Sequence, residues 1–418
     1  MNGALPCTRP ARWLGCLLAC VLLGPSARAQ EPTVGDSPAE STSETAPGSA
    51  PASGSLRDAQ GFLQAGPGRA LELPRDHGSH PDTRTEWWYL TGPLRGPEGE
   101  LFGFQATWFR RAIVREVPAG RSALATRDVI LFHGVLTDVA GQRSRFAEQA
   151  SRAYAPWAHA SPGRMDVGIF QQTLRDPTGT GRTAQLGMTT EDARVELELN
   201  LDSVPPLLHG ADPGLSVKGH EAGQASWYYS LPGVTVRGTL MREGQPPLPL
   251  TGTAWFDHEF GSSQLGESQE GWDWFSVALD DGTQCMLYDM RLEDGHRDTT
   301  SSGTVRLPDG SQRHLDANHF RIRASEHWTS PRTGIRYPGG WTLSVPAEGL
   351  ELTVTPLIAD QELQTPGTTG VTYWEGLCRF EGTRAGQPVR GEGYVELVGY
   401  GEAISGRFQT ARESDAPP

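Results

Sequence analysis

The sequence predicts an all-β protein built as two consecutive antiparallel β-barrels. Three observations carry this. Apolar and polar residues alternate over short runs, most strictly in VELELNL at 195–201, which is the period of a half-buried strand. The 418 residues include 51 glycines, 32 prolines and 12 tryptophans, a composition of many turns and bulky strand formers. No long helical period follows the N-terminal apolar run, and the remaining length suits two cores.

Residues 1–29 read as an export signal. Arg9 and Arg12 supply positive charge, 13–23 is a short apolar run, and Ala27-Arg28-Ala29 offers small residues at the cleavage spacing. The run falls short of the roughly 20 residues that cross a bilayer. Leu17-Leu18-Ala19-Cys20 also matches a lipobox, which would make Cys20 a lipid anchor; the apolar residues continuing past Cys20 favour cleavage after Ala29. Either processing places the body outside the cytoplasm, periplasmic or secreted. Residues 30–58 are rich in Pro, Ser, Thr, Glu and Gly and read as a flexible linker.

The first barrel is expected over 59–245. Its strand signals are 85–92 (TEWWYLTG, ended by a turn at Gly92-Pro93), 101–109, 128–135, 169–174, 185–188, 195–201, 227–231 and 234–241. Val195, Leu197, Leu199 and Leu201 should share one face. The segment GQPPLP at 244–249 reads as the crossing into a second barrel over 246–409, with strands at 304–306, 319–323, 341–345, 351–356, 371–379 and 391–400. Residues 410–418 should be a loose tail.

The stretch 253–295 is the richest in chemistry. Asp281-Gly282 between two alternating runs, 272–279 and 285–290, predicts a hairpin. Trp272, Trp274, Ser276 and Ala278 share one face of it; Asp273, Phe275, Val277 and Leu279 share the other. Tyr288 and Asp289 point to opposite faces. Just upstream, Asp257, His258 and Glu259 lie between Phe256 and Phe260. Acids and an imidazole among aromatic rings could carry proton transfer, because a carboxyl buried among rings has a raised pKa. Indole faces also attract cations. The catalytic candidates are therefore Asp257, His258 and Asp273. The candidates for ligand contact are Trp272, Trp274 and Tyr288, with Glu86, Trp87 and Trp88 from the first barrel. Each has a plainer reading: the acids as hydrogen-bonded structural groups, Glu86 as an ion pair with Arg84, the tryptophans as core.

Other chemistries are less well supported. The net charge of −14, with no compensating basic stripe, excludes nucleic acid as a partner. Asp76, His77, His80 and Asp82 have ligand-like spacing, but HxxH in a loop is a weak signal, and neither a metal nor another cofactor is expected. No GxSxG elbow appears, which leaves His258 with Ser262 or Ser263 as a thin basis for a hydrolase. Of five cysteines, Cys285 and Cys378 lie in the body; they would form a disulfide or stay as two buried thiols.

The motifs RDHGSHPDTRTEWWYLTG, GTAWFDHEFGS and GWDWFSVALDDGTQCMLYDMR, in that order, resemble the carotenoid 1,2-hydratase (hydroxyneurosporene synthase, CrtC-like) family, and within it the AttH-like exported proteins labelled predicted secreted hydrolases. The resemblance runs from about Arg75 to the last strand. It implies two lipocalin-like barrels. Its hydratases add water across a terminal isoprenoid double bond, whereas its AttH-like branch is associated with an ABC transport system. Three functions follow as expectations: a carrier of a hydrophobic, lipid- or isoprenoid-like ligand serving a transporter, a hydratase, and a secreted hydrolase. The export signal and acidic composition favour the AttH-like branch.

Overall fold

The structure is a computed structural model describing residues 56–401, apart from 119, 121, 123, 124, 264, 265 and 267. The expected export signal, the expected linker up to 55 and the expected tail from 410 lie outside the described residues. The linker's last residues belong to the folded body: Asp58 accepts a 2.5 Å hydrogen bond from Arg84.

The first sheet contains β1 (Thr85–Arg95), β2 (Leu101–Ala112), β3 (Asp128–Asp138), β4 (Arg143–Arg152), β5 (Ala158–Ala160), β6 (Asp166–Ile169), β7 (Gln172–Arg175), β8 (Thr183–Thr189), β9 (Ala193–Asn200), β10 (Leu207–Leu208), β11 (Leu215–Val217), β12 (Ala225–Arg242) and β13 (Leu248–Ser263). The order is β4-β3-β2-β1-β13-β12-β9-β8-β7-β6-β5, with β10 and β11 added to β12. β3 and β4 come close to β5 and β6, so the sheet is a nearly closed barrel. The second sheet contains β14 (Gln269–Leu279), β15 (Gln284–Leu292), β16 (Ser302–Arg306), β17 (Gln312–Asp316), β18 (Arg321–Thr329), β19 (Arg336–Val345), β20 (Leu350–Pro356), β21 (Glu362–Gln364), β22 (Thr372–Arg384) and β23 (Gln387–Leu397). Its order is β17-β16-β15-β14-β23-β22-β20-β19-β18, with β21 on β22. This sheet is a curled half-barrel, where a second closed barrel was expected.

Alternation along the strands sorts side chains into three compartments. Val195, Leu197 and Leu199 fill the first barrel with Trp88, Trp108 and Phe256. Phe275, Val277 and Leu279 fill the concave side of the second sheet with Trp341 and Trp374. Between the sheets lies a seam where Tyr89, Tyr228 and Trp255 from the first meet Trp274, Tyr288 and Tyr394 from the second. Gly103 of β2 permits this approach, since a Cβ there would stand 2.5 Å from Tyr394 Oη.

The hairpin at Asp281-Gly282 forms as β14–β15. The expected crossing at 244–249 is instead the turn of the β12–β13 hairpin, both of whose strands pair within the first sheet. The chain changes sheet between Ser263 and Gln269. Prolines misplaced that boundary, because they also punctuate hairpins. The runs 227–231 and 234–241 are one strand, β12, with a bulge at Gly233, whose φ of 80° suits glycine. Conversely, 169–174 is two strands turning at Phe170 and Gln171. Gly92-Pro93 does not end β1, which continues to Arg95.

Candidate active site

β13 pairs with both β1 and β12 and is the strand on which the polar groups divide. Successive residues on a strand point to opposite faces. Phe256, His258 and Phe260 enter the barrel, and Trp255, Asp257 and Glu259 enter the seam.

The barrel-side group is a saturated network around Glu86, which β1 delivers fully buried beside Trp88. Arg110 Nε donates to Glu86 Oε2 at 2.8 Å. Oε1 faces His80 Nδ1 at 2.7 Å and His258 Nε2 at 3.0 Å, and the His80 backbone N–H also donates to this carboxylate. A 3₁₀ turn over Arg75–His77 brings in Asp76 and His77. The Asp76 carbonyl oxygen lies 2.8 Å from His258 Nδ1, and Tyr229 Oη lies 2.5 Å from His77 Nδ1. Burial alone would raise Glu86, but Arg110, His80 and His258 outweigh it and hold it well below the usual carboxylate range. Burial also opposes charge on His80, yet Glu86 and Asp76 lift it above an ordinary imidazole. Burial pulls His258 down, and burial with nearby His258 pulls His77 down to about 4.

The seam is different: among the described residues, Asp257, Glu375 and Glu396 have only uncharged hydrogen-bond donors. Asp257 accepts from Tyr228 Oη at 2.5 Å, from Trp255 Nε1 at 2.6 Å and from Ser230 Oγ. His209 extends this chain, 2.6 Å from Ser230 Oγ and 3.0 Å from Thr304 Oγ1 of the second sheet. Trp274 Nε1 donates to Tyr228 Oη at 3.1 Å. β22 and β23 add Glu375 and Glu396, which stand directly opposite each other in register. Tyr89 donates to Glu375 Oε1 at 2.5 Å, and Trp272 Nε1 donates to Glu396 Oε2 at 2.8 Å. Among the described residues Asp257, Glu375 and Glu396 form no ion pair, and Lys218 pairs with Glu259 at 3.4 Å. Among the described residues, Glu375 Oε2 and Tyr394 Oη are buried without a hydrogen-bond partner. Burial pushes Asp257 and Glu396 up to about 7, and burial with the neighbouring Glu396 pushes Glu375 well above the carboxylate range. Glu375 is wholly buried whereas Glu396 is half-buried, so the pair has a dry member and a wet one.

The predicted residues are thus distributed over three places. Asp257, Trp87, Trp272, Trp274 and Tyr288 meet in the seam. His258, Glu86 and Trp88 meet in the barrel, where Trp88 stacks on His258 at 4.9 Å. Asp273 faces the concave side of the second sheet, paired with Arg291 and accepting from Tyr400 Oη at 2.9 Å. Asp257, His258 and Asp273 therefore do not converge: Asp257 and His258 are neighbours on one strand, and Asp273 alternates with Trp272 and Trp274. Ser262 hydrogen-bonds the backbone of Leu63 and Arg84, not His258. Cys285 and Cys378 are free buried thiols. Glu375, Glu396, Tyr228 and His209 were not anticipated. A lone acid inside the apolar runs TYWEGLCRF and GYVELV was the signal available for the two glutamates.

The fold and the seam together define a lipocalin-like β-protein with buried acids between its two sheets. The chain belongs to the AttH-like family, whose model matches residues 64–400. A crystal structure of an AttH candidate from Nitrosomonas europaea is 35% identical and superposes with a TM-score of 0.72, covering 81% of this chain and 100% of that one. Kievitone hydratase from Fusarium solani subsp. phaseoli is 22% identical over 243 residues, 57% of this chain and 67% of that protein. The crystal structure of kievitone hydratase from Nectria haematococca, at 15% identity, shares the fold with a TM-score of 0.62 over 82% of this chain and 97% of that one.

Proposed function

We propose that this protein is a hydratase-type enzyme that adds water across a carbon–carbon double bond of a hydrophobic, isoprenoid-like substrate held in the seam. The observation that carries this reading is Glu375: a buried carboxyl with a raised pKa, one oxygen unpaired, set opposite Glu396 among aromatic rings. Such an acid keeps its proton near neutral pH and can give it to an alkene carbon. The carbocation formed is sheltered by the faces of Tyr89, Trp255 and Trp274. Glu396, reached by solvent, takes a proton from the water whose oxygen bonds to the cation, and that proton returns to Glu375. The sum is alkene plus water giving alcohol. Asp257, saturated by three donors, orients Tyr228 and Trp255. Relatives named kievitone hydratase support the same reaction class. Export through the signal expected over residues 1–29 would put the reaction outside the cytoplasm.

A carrier would have to use the same seam, because Trp88, Trp108, Phe104 and Phe132 fill the first barrel where a calyx ligand would sit. The test incubates the protein with acyclic carotenoid and prenylated phenol substrates in ¹⁸O-water and follows mass. Gain of one labelled water, lost in Glu375→Gln, supports hydration. Binding without conversion supports the carrier, and a protein that neither binds nor converts these substrates removes both readings.

A further inference from the structure

We propose that the first barrel holds a divalent metal ion of the zinc class, bound by His80 Nδ1, His258 Nε2 and Glu86 Oε1. These three atoms lie within 4.8 Å of one another, with Nδ1 2.7 Å and Nε2 3.0 Å from Oε1.

What stands behind each imidazole makes the case. His80 turns its other nitrogen, Nε2, to the Asp76 carboxylate at 3.3 Å, and His258 turns Nδ1 to the Asp76 carbonyl at 2.8 Å. Carboxylate and carbonyl oxygens only accept, so each ring commits an N–H to Asp76 and presents a lone pair toward Glu86. Three lone pairs then converge, and something positive must lie among them: two further protons or one metal ion. Histidines that ligate metals are held in this way, with the far N–H fixed by a carboxylate or carbonyl. Asp76 is itself fixed by the Glu72 backbone N–H at 2.8 Å and by Arg69 at 3.3 Å. Arg110 occupies the other Glu86 oxygen and leaves Oε1 for the ion. Phe260 stacks on His80 at 3.5 Å and restrains its rotation. A set of two imidazoles and one carboxylate suits zinc and its neighbours rather than calcium or magnesium, which favour oxygen. The site faces away from the seam across β13, so it is independent of the hydration chemistry and its role is to hold the barrel's entry loop to β1 and β13.

The test uses the full chain without a polyhistidine tag, stripped by chelator, dialysed against Zn²⁺ or Co²⁺ and desalted. About one equivalent of metal per chain should remain and raise the Tm. Co²⁺ should show visible bands distinct from the hydrated ion. His80→Gln removes the ligand nearest the surface, whose side chain is 10% exposed, and should weaken retention at least tenfold. His77→Gln, outside the triad, should retain the metal. Wild type retaining no metal overturns the proposal and leaves protons as the bridge. Metal retained by a folded His80→Gln overturns it too, placing the ion on surface histidines. Should His80→Gln fail to fold, the wild-type Co²⁺ spectrum decides: hydrated-ion bands overturn the site, and imidazole-ligated bands support it.

Discussion

Glu86 and Glu375 are both completely buried carboxyls on strands, yet one is held as an anion and the other as an acid. Glu86 has Arg110, His80 and His258 around it, and both of its oxygens face nitrogen partners. Glu375 has one phenol and, across the strand, another carboxyl. Burial costs the two groups alike; the partners decide the charge. A satisfied network fixes structure, whereas a buried oxygen without a partner is free to meet a substrate.

That contrast can be broken experimentally. The largest effect should come from Glu375→Gln, which keeps shape and removes the proton. Hydration should fall by about 10²–10⁴-fold with little change in stability, and a variant with near-normal turnover in a steady-state assay would remove Glu375 from the acid role. Next, Arg110→Met leaves Glu86 as an uncompensated buried charge, and urea unfolding should show a loss of about 3–5 kcal/mol. A loss below about 1 kcal/mol would mean that the imidazoles alone balance Glu86.

The pH dependence should separate the two regions by sign. Asp257 and Glu396 are raised to about 7, so their contribution to stability is complete below their unfolded values of about 4 and is lost as pH rises toward 7. Glu86 is lowered, so its contribution is present above about 4 and is lost as pH falls. Asp257→Asn should flatten the decline between about pH 4 and 7 and leave the acid limb intact; an unchanged profile in urea titrations across pH would show that Asp257 is not shifted. Trp274→Phe removes the donor to Tyr228 and should cost about 0.5–1.5 kcal/mol. The smallest effect expected is that of reductant: with Cys285 and Cys378 both free, dithiothreitol should leave the Tm where it was.

Much of this was legible in the residues. Strict alternation at 195–201 fixed both the strand and its buried face, and Asp281-Gly282 fixed the β14–β15 hairpin. The aromatic and acidic residues of 253–295 do reach the seam, the barrel and the second sheet, but they do not gather in one pocket. Applying the strand period to Asp257-His258 would have separated them beforehand, as it did Tyr288 and Asp289. Glu375 and Glu396 lay beyond local reading for another reason. Their position opposite the Asp257 side of the seam depends on which strands neighbour one another, and the pairings β1–β13 and β14–β23 join segments far apart in the chain. The sheet change after Ser263 was missed because a proline-rich turn resembles a linker in composition.

β13 acts as a party wall, its odd-numbered side chains furnishing one room and its even-numbered ones the next. A single residue inserted ahead of Trp255 would shift this frame by one step, carry the imidazole of position 258 into the seam and the carboxyl of 257 into the barrel, and so empty both rooms at once. Deletions and insertions should therefore be far rarer in this strand than in the loops at either end, and substitutions in it are best read in alternating pairs.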